Sequence, residues 1–326
     1  AQRITTTYRD VLTSPARSRR RAKIAGKRTK SGAMLGFHAK GTHNLIATPD
    51  CQLLAPGIMD AFPALEKLVV IAASRKAEIA LTVTETAAGL DVFVDTETPL
   101  TPELRQTLAV FAQDNGIARL VWPDEPVVTM NSPEQIFGNT RVTPPAGVFL
   151  QATKHGEASL LDAVDEITKG ANRIIDLFAG CGTFTLPLAE RAEVHAVEGE
   201  ADMIAALDRG WRGGHNLKRV TSEVRDLFRR PLEPDELRKF DAAVIDPPRA
   251  GAEAQIATLA TSDVTRCRLC PPRQPRARAA LIAASPPTAC TSSRAARGRV
   301  NVPQPAYSSR RALASLGTYA TASTCD

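Results

Sequence analysis

The feature that most restricts the fold is a glycine-rich turn that follows a short apolar run. Residues 174–185 read Ile-Ile-Asp-Leu-Phe-Ala-Gly-Cys-Gly-Thr-Phe-Thr, so an apolar segment ends and two glycines precede a helical pattern. This order predicts a buried strand, a tight turn and the start of a helix. Glycines allow a ligand to approach the backbone, and the first N–H groups of a helix can receive it. The turn alone is equally compatible with a connection that binds nothing.

The dinucleotide-binding fingerprint is a poor match to this turn. That fingerprint requires a third small residue after the paired glycines, where this chain has Thr185, and it binds a pyrophosphate at the helix end. We therefore do not expect a nicotinamide enzyme.

Three more strands are predicted downstream, at residues 193–198, 219–226 and 240–245. In an open parallel sheet, ligands bind at the carboxyl ends of the strands. The four predicted strands place acidic residues at those ends: Asp176, Glu198, Asp226 and Asp246. We therefore predict a binding site at one edge of a doubly wound α/β sheet.

Three motifs resemble the S-adenosylmethionine-dependent RNA (uracil-5-)methyltransferases, the family that makes 5-methyluridine in ribosomal and transfer RNA. They are Phe149-Leu150-Gln151, the run from Asp176 to Thr183, and Asp246-Pro247-Pro248-Arg249-Ala250-Gly251. The last is the most specific. Amino-group methyltransferases, which need no cysteine nucleophile, usually carry a stacking aromatic residue where this chain has Arg249, so the resemblance disfavours them. It implies a class I methyltransferase fold of the α/β class.

By position, the resemblance implies that the strand ends surround S-adenosyl-L-methionine. Glu198 would accept hydrogen bonds from the ribose, Asp226 would receive the adenine amino group, and Phe178 would pack near the methionine part. An ordinary loop acid or helix cap is the alternative role for Asp226. The residues implied to bind the cofactor are Gln151, Asp176, Phe178, Gly180, Gly182, Thr183, Glu198, Asp226 and Asp246.

The family reaction needs a cysteine and a carboxylate that this chain does not show in the expected setting. In the family, a thiolate adds to carbon 6 of uracil, carbon 5 is methylated, and a carboxylate removes the proton from carbon 5. The Ser-Cys-Asn-Pro type of motif that carries the cysteine is absent. Cys270, followed by Pro271, lies nearest the expected place but in a different sequence setting, and residues 264–325 contain no Asp or Glu.

The composition changes abruptly at residue 264. The following residues are rich in Ala, Arg, Ser, Thr and Pro, with too few large apolar side chains to offset the entropy of ordering. We expect no strand after residue 266, and a low-complexity tail that is disordered or encoded by a shifted reading frame. The sheet is then expected to be incomplete after its fourth strand. The chain is either a uracil methyltransferase with a restored or replaced nucleophile and base, or an inactive remnant that binds the cofactor or RNA.

Overall basicity does not indicate RNA binding. The net charge is +6, but residues 264–326 hold ten Arg and one Asp, which leaves a net charge of −3 for residues 1–263. A local cluster is more informative, because residues 17–40 contain nine Lys or Arg and no acid. Phosphate attraction and a solvated strand face both account for that cluster.

The resemblance favours RNA binding by this cluster. The segments at residues 20–23, 35–38 and 51–56 resemble the central RNA-binding domain of the family. The likeness of the Cys51 segment to the cluster-bearing branch indicates ribosomal rather than transfer RNA as the partner. The residues expected to contact RNA are Arg20, Arg21, Lys23, Lys27, Arg28 and Arg249.

Cys51 matches the fourth ligand of a [4Fe–4S] cluster that many relatives of the family carry. The other three ligands of that cluster lie upstream, and no cysteine precedes Cys51 here. One thiolate cannot hold such a cluster, so we expect no metal in this chain. The sequence starts at Ala1 rather than at a methionine, and we expect it to be a fragment without its N-terminal region.

A Pro-rich segment at residues 143–147 marks the predicted domain boundary. We expect an RNA-binding α/β domain at residues 1–146, a partial cofactor-binding methyltransferase domain at 147–263, and the tail at 264–326. Six unevenly spaced cysteines do not form a disulfide framework, and Cys181 is expected to be buried. No apolar run is long enough to span a membrane. We expect a cytoplasmic monomer.

Overall fold

A computed structural model describes residues 11–123, 125–248, 250–264 and 266–269, the last range by its backbone only. The upstream part contains seven strands and three helices. The strands are β1 (Arg21–Arg28), β2 (Ala33–His38), β3 (Leu45–Ala47), β4 (Glu78–Thr86), β5 (Gly89–Asp95), β6 (Ile117–Val121) and β7 (Pro126–Thr129). The helices are α1 (Pro56–Asp60), α2 (Phe62–Ala72) and α3 (Pro102–Asp114).

These strands form one sheet in the order β3-β2-β1-β4-β5-β6-β7. Neighbouring strands are antiparallel except for β5 and β6. Helix α2 buries Leu65, Leu68, Val69 and Ala72, which recur at helical spacing and therefore form one apolar face. That face joins the apolar side of the sheet in a single core. The predicted α/β character of this part is thus observed.

The downstream part contains five parallel strands. In chain order its elements are α4 (Lys154–Thr168), β10 (Arg173–Leu177), α5 (Thr185–Ala189), β11 (Glu193–Glu198), α6 (Ala201–Gly213), β12 (Val220–Val224), α7 (Pro234–Leu237), β13 (Ala242–Ile245), α8 (Glu253–Ala260) and β14 (Arg266–Leu269). The strand order is β12-β11-β10-β13-β14.

Alternate residues of these strands are buried on opposite faces of the sheet. Ile174 and Val244 belong to a core that includes Val164 of α4 and Leu207 of α6. Ile175 and Ile245 belong to a second core with Leu259 of α8. Because both faces are covered, the strands read as continuous apolar runs, as expected for a doubly wound sheet.

Strand β14 corrects one sequence-based expectation. We expected no strand after residue 266, but residues 266–269 pair in parallel with β13, with Arg266 opposite Ala242 and Leu269 opposite Ile245. The backbone edge of β13 offers unpaired N–H and C=O groups, and these can pair with a segment whose side chains give little strand signal. The sheet therefore continues to a fifth strand. The tail expected beyond it, residues 270–326, lies outside the described residues.

A hairpin connects the two sheets. It consists of β8 (Gln135–Phe137) and β9 (Thr140–Val142). Phe137 and Val142 are buried in a cluster with Leu186 and Ala206, both of which belong to the downstream part. By its packing, the hairpin therefore belongs with the parallel sheet, although its residues precede the domain boundary predicted at residues 143–147. No helix among the described residues combines the length and apolarity that a membrane span requires.

Gly36 provides a test of the packing of β2 against β3. A Cβ atom at Gly36 would overlap the carbonyl oxygen of Ile46, whereas a Cβ at Gly32 would meet no atom within 4 Å. We expect Gly36→Ala to lower the free energy of unfolding by about 1–3 kcal/mol, as overpacking does. The control Gly32→Ala should change it by less than about 0.5 kcal/mol. Urea denaturation measures both, and equal stability of the two variants would contradict the observed strand contact.

Candidate functional site

The carboxyl ends of the parallel strands meet at one edge of the sheet, here called the carboxyl edge. Leu177 of β10 lies opposite Val197 of β11 and Ile245 of β13. One residue of the candidate site comes directly after each of these positions: Phe178 after Leu177, Glu198 after Val197 and Asp246 after Ile245. These three residues therefore lie near one another. The structure thus brings together the glycine turn, the acid of β11 and the Asp-Pro-Pro segment.

Asp176 is an acid buried without a full set of partners. Its side chain has no solvent exposure, and its Oδ2 accepts a hydrogen bond from the Thr185 hydroxyl at 2.6 Å. Its Oδ1 is buried and has no hydrogen-bond partner among the described residues. Burial raises the pKa of Asp176 to about 7 against the opposing Thr185 hydrogen bond, and the negative charges of Asp246 and Glu198 raise it further.

The tight turn predicted after β10 contains two glycines with a left-handed backbone. Gly180 has φ of +57° and Gly182 has φ of +92°. A Cβ at Gly182 would lie 3.0 Å from the Leu207 side chain, so helix packing also requires glycine there. A Cβ at Gly180 would meet nothing within 4 Å. The backbone at Gly180 is therefore open on the side where a ligand can approach. Thr183 lies half-buried where the turn leads into α5.

Phe178 adopts an unusual conformation within this turn. Its φ is +61°, in the left-handed region that costs a non-glycine residue about 1–2 kcal/mol. Its ring centroid lies 5.4 Å from that of Phe228, with the rings tilted by 56°. The Phe228 side chain is exposed, so an aromatic surface lies at the carboxyl edge. Phe228 is not among the residues predicted from the sequence, although it lies only two residues after Asp226.

Glu198 connects the turn to β11. One carboxylate oxygen accepts the N–H of Gly180 at 2.9 Å, and the other accepts those of Gly199 at 2.6 Å and Glu200 at 3.1 Å. An ionised carboxylate offers about four acceptor positions, so a position remains for a ligand hydroxyl. Glu198, which we expect to accept hydrogen bonds from a ribose, thus also positions the glycine turn.

Gln151 and Asp246 lie in contact, although 95 residues separate them in the sequence. The Gln151 side-chain amide donates a hydrogen bond to Asp246 Oδ2 at 3.2 Å. Gln151 precedes α4, and the backbone N–H of Asp246 donates to the carbonyl of Leu177 at 3.3 Å. Two of the three motifs are therefore joined at the carboxyl edge, beside the third.

Asp226 has the geometry of a turn cap. Its Oδ1 accepts the backbone N–H groups of Phe228 at 2.9 Å and Arg229 at 3.3 Å. Its Oδ2 also lies 3.4 Å from the Arg229 Nε. The contacts of Asp226 are therefore those of a local cap, which is the alternative role given for it above. Its place after β12 leaves it beside the carboxyl edge.

The cysteines that the structure describes are not reactive nucleophiles at this edge. Cys181 is buried, as predicted, and burial raises the pKa of its thiol to about 12 with a further contribution from the Glu198 charge. A thiol with such a pKa stays protonated at neutral pH. Cys51 packs against the core of the upstream sheet. Cys270 and Arg249 lie outside the described residues.

No group of three or more His, Cys, Asp or Glu side chains gathers to hold a metal ion in the part of the chain that the structure describes. The residues present around Cys51 therefore do not fit a cluster that needs four thiolates.

Two of the cations expected to contact RNA are instead held between the two sheets. The Arg20 guanidinium is only 5% exposed and lies 2.6 Å from Glu157 Oε2. Arg21 donates to the carbonyl of Gly147 at 2.9 Å, and its guanidinium lies 5.8 Å from the Phe149 ring centroid. Burial corrects the expectation for Arg20, because its charge is already paired and screened from a phosphate.

Arg20 also holds the backbone that precedes α4. Its Nε donates to the carbonyl of Gln151 at 3.3 Å, and its backbone N–H donates to the carbonyl of Ala152 at 2.9 Å. Strand β1 is thereby connected to the segment whose Gln151 side chain reaches Asp246. Lys23 and Lys27 face solvent on the same strand, and Arg28 is half-buried at its end.

The ion pair of Arg20 and Glu157 should stabilise the fold. Removing one partner of a buried pair costs about 3–5 kcal/mol, so we expect Arg20→Met to lower the free energy of unfolding by that amount. Adding Glu157→Met should recover a large part of the loss, because no uncompensated charge remains. The control Lys23→Gln breaks a pair with Asp95 that is 60% and 54% exposed, and should cost less than about 1 kcal/mol. Urea denaturation would contradict this assignment if Arg20→Met cost no more than the control.

Asp176 should make stability depend on pH. Its pKa of about 7 in the folded protein exceeds the ordinary value of 3.8, so the folded state holds this proton more tightly than the unfolded chain. The resulting stabilisation is complete below about pH 4, falls as the pH rises, and is lost above about pH 7. Relative to Asp176→Asn, which cannot titrate, the protein should lose about 2–3 kcal/mol between pH 5 and pH 8. Denaturation at both pH values tests this, and parallel curves for the two proteins would contradict it.

No protein-family model matches the chain. An uncharacterized RNA methyltransferase of Mesorhizobium japonicum is 42% identical over 247 residues, which are 76% of this chain and 60% of that protein. The 23S rRNA (uracil(1939)-C(5))-methyltransferase of Thiobacillus denitrificans is 31% identical over 276 residues, 77% of this chain and 61% of that protein. The chain thus spans about three-fifths of the length of these curated relatives.

A solved structure has the same fold. The tRNA (uracil-54, C5)-methyltransferase of Pyrococcus abyssi, in complex with S-adenosyl-L-homocysteine, matches with a TM-score of 0.57 and 18% identity, over 80% of this chain and 68% of that one. The predicted class I methyltransferase fold is therefore confirmed. Over the residues it shares with them, the chain is similar in sequence to these bacterial RNA methyltransferases.

Proposed function

We propose that this chain binds S-adenosyl-L-methionine at the carboxyl edge, as part of an enzyme that methylates carbon 5 of a uridine in RNA. The observation that carries the proposal is the convergence of Glu198, Asp246 and the open backbone at Gly180 at the ends of adjacent parallel strands. This is where open α/β sheets bind their ligands. The names of the relatives and the cofactor product in the solved neighbour support the same reaction class.

The side chains of the carboxyl edge fit the chemical groups of this cofactor. The remaining acceptor position of Glu198 suits a ribose hydroxyl, and the ring pair of Phe178 and Phe228 offers an apolar surface. Asp176 is buried beneath the turn with one carboxylate oxygen unpartnered, and we place it in the proposed set by this position. Gln151, Gly182, Thr183, Asp226 and Asp246 complete the proposed set. When bound, the cofactor supplies the methyl group.

We assign RNA attraction to the solvent-facing part of β1. Lys23, beside Asp95, and Lys27 face solvent on this strand, and the half-buried Arg28 ends it. Positive side chains bind phosphates with a strong dependence on salt. Ribosomal RNA is the proposed substrate, because a relative named for 23S rRNA covers 77% of this chain. In this proposal the protein acts in the cytoplasm as a monomer.

An inactive remnant that binds the cofactor or RNA is the second candidate function. Cys181 is protonated at neutral pH, and residues 264–325 contain no carboxylate side chain. The described residues therefore offer a cofactor site without a thiolate beside it. Both candidates predict that the chain binds the cofactor. Methylation of RNA is expected only of the enzyme.

Calorimetric titration with S-adenosyl-L-homocysteine tests the cofactor site. In the proposed site Asp246 accepts one hydrogen bond from the cofactor. A charge-assisted bond of this kind contributes about 1.5–3 kcal/mol, so we expect Asp246→Asn to weaken binding about 10- to 100-fold. The matched control Asp114→Asn, on the exposed end of α3, should leave the affinity unchanged. Absence of binding by the unmodified chain, with a cooperative unfolding transition retained, would overturn the proposal.

The reaction itself is tested with ribosomal RNA that carries tritium at carbon 5 of its uridines. Methylation at this carbon replaces the tritium, so release into water that depends on S-adenosyl-L-methionine identifies the product. Methyl incorporation without tritium release would identify another target atom. Cofactor binding without either signal would leave the inactive remnant as the function of this chain.

A further inference from the structure

A cavity lies at the amino-terminal edge of the parallel sheet, opposite the carboxyl edge and here called the amino edge. It has a volume of about 250 Å³. Arg173 and Glu193 begin β10 and β11, and Arg219 immediately precedes β12. Lys239 and Phe240 precede β13. Strands of four to six residues, rising about 3.3 Å per residue, separate the two edges by roughly 13–20 Å. The cavity is therefore distinct from the proposed cofactor site.

The rim of this cavity has an excess of positive charge. Arg173 lies 3.8 Å from Glu193, so one cation is close to a carboxylate. Arg219 and Lys239 are exposed, and neither forms an ion pair with any part of the chain that the structure describes. The lining thus carries three cations against one carboxylate, and Glu236 offsets part of the charge of Lys239. The charge that remains is positive and favours an anionic ligand.

Two stacked rings line the cavity. The His195 imidazole and the Phe240 ring stack with centroids 5.8 Å apart and planes 17° from parallel. The Lys239 ammonium lies 5.2 Å from the Phe240 centroid. Burial lowers the pKa of His195, and the charge of Lys239 lowers it further against the opposing effect of Glu223. The ring is therefore neutral at neutral pH, and the positive charge belongs to the rim.

The size of the cavity restricts the ligand. Sites that enclose a whole small molecule have volumes of about 300–1,000 Å³, and this cavity is smaller than that range. It suits one charged group of a larger molecule that continues outside. A phosphate of a nucleic-acid strand has this charge, and its neighbouring nucleotides can extend along the exposed rim.

We propose that the amino edge is a second RNA-binding site, in which Arg219 and Lys239 hold a backbone phosphate. The identity of the ligand rests on the proposed function, because an RNA methyltransferase already has RNA as its substrate. The contact is independent of the bases, so it contributes affinity and orientation rather than sequence recognition.

The test measures how strongly a fluorescent single-stranded RNA binds the full chain at several salt concentrations. For single strands, each phosphate contact contributes about 0.7 to the slope of log affinity against log salt. The double variant Arg219→Gln/Lys239→Gln should therefore reduce the slope by about 1.4 and weaken binding about 10-fold near physiological salt. The conservative double variant Arg219→Lys/Lys239→Arg should keep most of the slope.

The matched control is Arg75→Gln/Lys76→Gln, which removes the same charge from an exposed loop between α2 and β4. Equal effects of the two double Gln variants would overturn the proposal, because only net charge would then matter. Competition with inorganic phosphate distinguishes a backbone phosphate of RNA from a free phosphate ion as the ligand of the cavity. If phosphate binding depends on Arg219 and Lys239 while RNA binding does not, the cavity is a free-anion site and the RNA assignment is wrong.

Titration with S-adenosyl-L-homocysteine separates this inference from the proposed function. The Arg219→Gln/Lys239→Gln variant should bind it with unchanged affinity, since the amino edge lies away from Glu198 and Asp246. A loss of cofactor binding in this variant would contradict the separation of the two sites. A failure of the unmodified chain to bind the cofactor would overturn the proposed function but leave the RNA measurement interpretable.

Discussion

The hydrogen bonds of Glu198 are the constraint on which the rest of the site depends. One carboxylate receives N–H groups from Gly180, Gly199 and Glu200, and so fixes the turn after β10 against the end of β11. With that turn fixed, Gly180 presents open backbone and Phe178 keeps its left-handed conformation. Strain of this kind persists only where surrounding contacts determine the backbone. The geometry of the carboxyl edge is therefore set before any ligand binds.

A second level of organisation joins the two sheets. Arg20 directly precedes β1 and forms an ion pair with Glu157 in α4. It also donates hydrogen bonds to the carbonyls of Gln151 and Ala152. The segment that it holds supplies the Gln151 side chain to Asp246. The position of the strand that carries Lys23 and Lys27 is thus coupled through buried contacts to the carboxyl edge. An RNA on β1 and a cofactor at the sheet would share this framework.

Apolar runs and glycines in the sequence predicted the strands and turns that depend on neighbouring residues. The strand Glu193–Glu198 has the predicted limits, and the predicted tight turn follows β10, because apolar runs and glycines act within a few residues. Contacts between distant residues were not predictable in this way. The cluster around Arg20 looks like a solvated basic strand in the sequence, and only its partner 137 residues away makes it a buried ion pair. Strand β14 depends on the free edge of β13 in the same manner.

The charges of the parallel sheet are divided between its two edges. Asp176, Glu198 and Asp246 collect at the carboxyl edge, where their mutual repulsion helps to raise the pKa of Asp176. Such an edge suits a ligand with positive charge and repels a polyanion. S-adenosyl-L-methionine, the proposed cofactor, carries a positive sulfonium and an ammonium group beside one carboxylate, so its net charge is positive, whereas RNA is negative throughout. Under the proposed function, attraction for RNA therefore comes from elsewhere on the molecule, and β1 and the rim formed by Arg219 and Lys239 are two surfaces whose charge can supply it.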